Sequence, residues 1–217
     1  MEGNTYCPIP PRERNVFVNC PYDTLYKPIL DAIVFTIHDC GFVARIALED
    51  VGTGDVRLNK IKLLISQSRY SIHDLSRVDG EPRLNMAFEA GIFWGAKFFG
   101  GEEHANKDLL VLEKVKYRDK LTISDIGGND AAYHNDRPDQ AIECVRNFLA
   151  SKSGVRPFVG TKHIVARYEK FVAALPKLAA AAHITREELE SFYYFPDLAK
   201  LMTEWIKRNT RKSSRRT

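Results

Sequence analysis

A carboxylate set into an apolar helix is the first feature of this chain that could do chemistry. In Arg83-Leu-Asn-Met-Ala-Phe-Glu-Ala-Gly-Ile-Phe-Trp-Gly95, Glu89 sits in the first half of a strongly apolar helical run. Asn85 lies four positions before it and Met86 three, so both share its face. Apolar neighbours disfavour the charged form of a glutamate unless a partner pairs with it, and catalytic carboxylates are often held that way. The bland alternative is a Glu89 that faces solvent or pairs with Arg83 or Lys97. Ala87, Gly91 and Gly95 form a smooth stripe on the same helix. Each glycine costs about 1 kcal/mol relative to alanine, which points to close packing on a sheet or to a ligand approaching the backbone.

A second set of candidates falls after short apolar runs that read as strands. Asn19, Cys20, Pro21, Tyr22 and Asp23 follow the first, Glu49 and Asp50 the second, and Asp74, Ser76 and Arg77 the third. Open parallel sheets bind ligands outside these carboxyl ends. The chain contains no G-x-G-x-x-G and no G-x-x-x-x-G-K, which disfavours a dehydrogenase and an NTPase. Arg83, Arg77 and Arg57 could neutralise a phosphate, although single arginines commonly just face solvent. His73 alternates to the face opposite Asp74 and reads as a packing residue. Cys20 reads as a small filler rather than a nucleophile. The segment from Ile123 to His134 carries Asp125, Asn129, Asp130 and His134 around Gly127 and Gly128, either completing a pocket or capping a surface loop. Asp130 and His134 alone are too few to argue for a metal, so none is expected.

The elements that must position these groups follow from periodicity. Strands are predicted at 15–20, 42–48, 70–75 and 108–112, with a short fifth at 121–126. Helices are predicted at about 24–39, 55–68 (capped by Asp55), 83–99 and 138–150, the last opened by Pro138. This alternation predicts an α/β fold: a flavodoxin-like, doubly wound, mostly parallel sheet of four to five strands. Residues 153–206 show only helical spacing, interrupted near Pro176, and read as a C-terminal helical appendage. Residues 1–14 read as a flexible arm, 15–152 as the α/β domain and 207–217 as a basic disordered tail.

Composition sets the outer limits. The 217 residues are 44% hydrophobic and 28% charged, an ordinary globular balance. No apolar run is long enough to span a membrane, and the start MEGNTYCPIPPRERN lacks the apolar stretch of a signal peptide. A soluble, cytoplasmic protein is expected. The net charge of +4 comes from six basic residues after Trp205; without them the body stands at −2, so nucleic-acid binding is disfavoured. The four cysteines are scattered, with no C-x-x-C pair, which argues against a zinc site or a disulfide framework.

Val16-Phe-Val-Asn-Cys-Pro-Tyr-Asp23, Ser71-Ile-His-Asp-Leu-Ser76 and Asn85-Met-Ala-Phe-Glu-Ala-Gly91 together resemble the nucleoside 2-deoxyribosyltransferase superfamily. There, strand one ends in a small-Pro-aromatic turn, strand three in Asp-Leu-Ser/Thr, and a helix carries Glu-x-Gly. Residues 57–76 are also similar to bacterial TIR-like domains, whose catalytic members cleave NAD with a glutamate on the equivalent helix. The resemblance spans about residues 15–126. It implies cleavage of an N-glycosidic bond in a nucleotide, NAD or a nucleoside monophosphate, with Glu89 and Asp74 as catalytic residues. Asn19, Pro21, Tyr22, Asp23, Ser76, Arg83 and Asn85 would bind substrate, and no cofactor is needed. Water as acceptor gives a hydrolase, and a second base gives a transferase. Arg83 and Asn85 depart from the acidic or glycine-rich lead-in usual in deoxyribosyltransferases. A role in antiphage defence and a homo-oligomeric state fit the same resemblance. The competing expectation is a non-catalytic module that binds a nucleotide signal or a protein.

Overall fold

The computed structural model describes residues 11–49, 57–76, 84–116 and 131–213, with side chains through Thr210. Five strands, β1 (Asn15–Asn19), β2 (Val43–Ile46), β3 (Tyr70–Asp74), β4 (Asp108–Glu113) and β5 (Ala132–Tyr133), form one sheet in the order β2-β1-β3-β4-β5. Every pairing is parallel. The central strands β1 and β3 are buried at every position, as expected for strands covered on both faces.

Helices α1 (Lys27–Asp39) and α4 (Pro138–Lys152) cover one face, packing Ile33, Ile37, Ile142 and Val145 on Val16, Val18 and Ile72. On the other, α2 (Arg57–Ser66) and α3 (Leu84–Phe99) pack Ile61, Leu64, Met86 and Phe93 on Phe17, Leu109 and Val111. This is the flavodoxin-like topology, in which strand order reverses between β1 and β3 and opens a crevice at their carboxyl ends. The strand expected at 121–126 lies outside the described residues; the fifth strand found is β5.

The C-terminal helices are α5 (Thr161–Ala181), α6 (Arg186–Glu190) and α7 (Phe195–Ser213). They continue the hydrophobic core of the α/β layer. Phe35 of α1 stacks on Phe171 at 5.5 Å and meets Trp205 at 6.0 Å. Arg167 pairs with the buried Asp39 carboxylate at 2.8 Å. Two features of this region differ from expectation. The expected break at Pro176 does not occur, because buried Phe171 and Ala179 hold α5 to the core on either side of it. The segment after Trp205 is not irregular from residue 207 onward, since α7 continues to Ser213. Its Met202, Trp205 and Ile206 are buried, so the amphipathic pattern carries the helix past the end of the apolar stripe.

Candidate active site

The crevice is built first by the chain leaving β1. Pro21 has no N–H to extend the parallel ladder, so the strand ends at Asn19 and the backbone turns. The Tyr26 N–H then donates to Asp23 Oδ1 at 2.9 Å, which opens α1 directly above the sheet edge. Asp23 is thus engaged in starting the helix, and Pro21 is buried beside it.

Asp74, the last residue of β3, is wholly buried beneath α1. Its Oδ1 accepts from the Ser76 backbone N–H at 2.9 Å and from the Ser76 hydroxyl. Its Oδ2 accepts from the Tyr26 hydroxyl at 2.5 Å and lies 3.0 Å from His134 Nε2. Burial alone would raise this carboxyl, but hydrogen bonds from His134, Ser76 and Tyr26 outweigh it and hold Asp74 below the usual carboxylate range.

Ser76, His134 and Asp74 have the composition of a nucleophilic triad but not its wiring. The Asp136 backbone N–H donates to His134 Nδ1 at 3.1 Å, so the imidazole proton resides on Nε2. That same Nε2 meets both Asp74 and Ser76, the latter at 2.8 Å. A triad histidine uses opposite nitrogens for its acid and its nucleophile. The Ser76 hydroxyl, moreover, already donates to the carboxylate. The cluster is a buried brace joining β3, α1 and the turn after β5.

A matching brace lies on the other face. Asn19 Nδ2 donates to His73 Nδ1 and to the Met86 carbonyl, each at 3.0 Å, tying the end of β1 to the first turn of α3. Since Nδ1 accepts, the His73 proton is on Nε2, facing Ser71 Oγ at 3.0 Å. Burial pushes His73 down to about 3, so it is neutral and takes the packing role its alternation predicts. Phe17 and Phe93 meet its ring edge-on.

Glu89 faces neither solvent nor Lys97, which pairs instead with Asp108 at 3.8 Å. It is 5% exposed, and its Oε1 lies 3.6 Å from the Arg57 guanidinium at the start of α2. The Arg57 side chain remains 64% exposed. Burial raises the Glu89 carboxyl and Arg57 partly opposes the rise. Tyr22 is close enough to sense both charges; burial raises its hydroxyl first, Cys20 and Glu89 add to this, and Arg57 lowers it. The Phe192 ring meets Tyr22 at 5.9 Å, so the C-terminal helices reach the crevice. Between the two acids lies the buried Cys20, whose thiol is raised by burial, then by Asp74 and Glu89. It stays protonated, which fits a filler and not a thiolate nucleophile.

The structure therefore brings Glu89, Tyr22 and Arg57 together at the switch point, while Asp74, Ser76 and Asn19 form its buried frame. Asn85 is exposed on the first turn of α3. Arg83, Arg77, Asp50, Asp55, Asp125, Asn129 and Asp130 lie outside the described residues. Among the described residues no group of three or more His, Cys, Asp or Glu side chains is placed to hold a metal. Gly91 and Gly95 do not allow close packing on the sheet, because a Cβ at either would meet nothing within 4 Å. Sequence reasoning missed Tyr26 and the pairing of Glu89 with Arg57. Tyr26 stands just before α1 and its acid partner lies 48 positions further along the chain, so no local pattern joins the two.

Fold and site together define an α/β protein of flavodoxin-like topology with a buried glutamate at its switch point. No family model, curated protein or solved structure matches the chain. Among the described residues, no helix is long and apolar enough to cross a membrane.

Proposed function

We propose that this protein cleaves the N-glycosidic bond of a nucleotide, NAD or a nucleoside monophosphate, with Glu89 as the catalytic carboxylate. The observation that carries this reading is a nearly buried, upward-shifted glutamate at the β1/β3 crevice, paired with a mostly exposed arginine. Rupture of the bond from C1′ to nitrogen sends the electron pair to the departing base and leaves an oxocarbenium-like ribose. The Glu89 carboxylate, in weakly polar surroundings, stabilises that cation or bonds to C1′. Water then attacks C1′ and loses a proton. The base of a nucleoside monophosphate takes a proton up, giving free base and ribose 5-phosphate; nicotinamide leaves NAD already neutral, giving ADP-ribose and a proton released to solvent. Arg57 favours the ionised form of Glu89 and keeps exposed donors that suit a phosphate oxygen. The resemblance to TIR-like proteins adds antiphage defence as a cytoplasmic role.

A nucleotide-binding module without turnover is the second reading, favoured by the closure of Asp74 inside its own hydrogen bonds. The two are separated by chromatographic detection of free base after incubation with NAD, NADP and nucleoside monophosphates. Release that falls at least about 100-fold in Glu89→Gln supports the glycosidase. No release from any substrate, with a nucleotide-dependent rise in melting temperature, favours the module. Release undiminished in Glu89→Gln removes Glu89 from the chemistry.

A further inference from the structure

Helix α3 turns one face to the sheet and, among the described residues, leaves an apolar face uncovered. Leu84 is 67% exposed, Phe88 58%, Phe98 60% and Phe99 89%. With Gly91 and Gly95 they fall in one stripe about 100° wide, at 3.6 residues per turn. The two charged residues of α3 stand outside it: Glu89 is buried, and Lys97 lies over the Trp94 ring and pairs with Asp108.

Two properties say what covers this face. The first is area. The four large side chains leave roughly 500 Å² of apolar surface in water, at the upper end for a monomer. That is well over half of the roughly 800 Å² that each partner buries in a standard interface. The second is its own symmetry. Gly91 and Gly95 are equally spaced about position 93, and so are Phe88 and Phe98, and Ala87 and Phe99. A twofold axis at that level sets Gly91 against the partner's Gly95 and Phe88 beside the partner's Phe98. It also lays Phe99 over the partner's Ala87. Both glycines open onto free space, so the backbones can approach. An unrelated partner requires no such symmetry, whereas an isologous dimer does.

We propose that α3 pairs antiparallel with α3 of a second copy of this chain, forming a twofold dimer. The dimer anchors the helix that carries Glu89 one position from the contact residue Phe88. It does not depend on whether the site turns over a nucleotide.

Sedimentation equilibrium of the full chain, from nanomolar to high micromolar concentration, tests it. The wild type should reach twice the 24.7 kDa chain mass. Phe88→Lys, Phe98→Lys and Gly95→Trp should each lower that mass twofold at the same concentration. All three positions leave the fold unstrained, since the phenylalanines are exposed and Gly95 has room; circular dichroism confirms that each variant is folded, and any one that is decides the matter. A double variant, Phe88→Cys with Phe98→Cys, should form a covalent dimer on oxidation, where the wild type does not. A wild type monomeric at every concentration overturns the proposal. So does a dimer or larger assembly that persists in the folded variants, because its contact then lies elsewhere.

Discussion

Arg57 Nη2 stands 3.6 Å from Glu89 Oε1, a mostly exposed cation capping an almost wholly buried acid. The arginine favours the ionised glutamate, so Arg57→Met should raise the Glu89 carboxyl further. If base release needs ionised Glu89, the acidic limb of its pH profile moves to higher pH in the variant. Carbon-13 NMR titration of the glutamates reads the same shift without any turnover.

Glu89 should also cost stability. Its folded carboxyl lies above the ordinary 4.5, so the unfolded chain ionises first and stability falls as pH rises through 4.5 to the folded value. Glu89→Gln should therefore melt higher than wild type at pH 7, and the gap should close as pH falls below about 4.5. Calorimetry at a series of pH values measures this directly.

Asp74 has the opposite sign. Its folded carboxyl lies below the ordinary 3.8, so it contributes stability above that pH and loses it as pH drops through the folded value. Asp74→Ala leaves the Tyr26, Ser76 and His134 donors buried without their acceptor. The expected loss in urea unfolding is about 3–5 kcal/mol, the cost of breaking a buried charged network. Asp74→Asn, which keeps one acceptor oxygen, should lose less.

Lys107 is a buried amine that no sequence pattern flagged. Its Nζ donates to the carbonyls of Ile65 and Ser68 at the end of α2 and lies 4.5 Å from the Phe93 ring centre. Burial pushes it down to about 7 from the ordinary 10.5, with Arg12 adding to the fall. The unfolded chain then binds more protons between pH 7 and 10.5, so stability from this group rises with pH across that window. Melting temperatures from pH 7 to 9 should show that upward slope, and Lys107→Met should reduce it.

Helices α5–α7 share one core with the sheet layer, so they should not melt separately. Trp205→Ala, which strips the ring beside Phe35, Phe171 and Arg167, should cost about 3–5 kcal/mol. The loss should appear in one transition, coincident by near- and far-ultraviolet circular dichroism. Two separated transitions would show an independent appendage.

Local chemistry made much of this protein legible from its sequence. The alternation of short apolar runs with helical spacing reports burial on two faces of a parallel sheet, and it placed β1, β3, β4, α3 and α4 within a few residues. The isolation of Glu89 among apolar neighbours, and the alternation of His73 away from Asp74, follow from periods of 3.6 and 2, which any reader of the chain can count. Partners distant in the chain follow no period. Tyr26 and His134 reach Asp74 only because α1 and the turn after β5 descend on the same strand end, and Arg57 reaches Glu89 only because α2 and α3 cover the same face. The glycines of α3 show the same division. Their spacing marked a smooth stripe, but only the packing of Met86 and Phe93 against the sheet decided that the stripe faces outward.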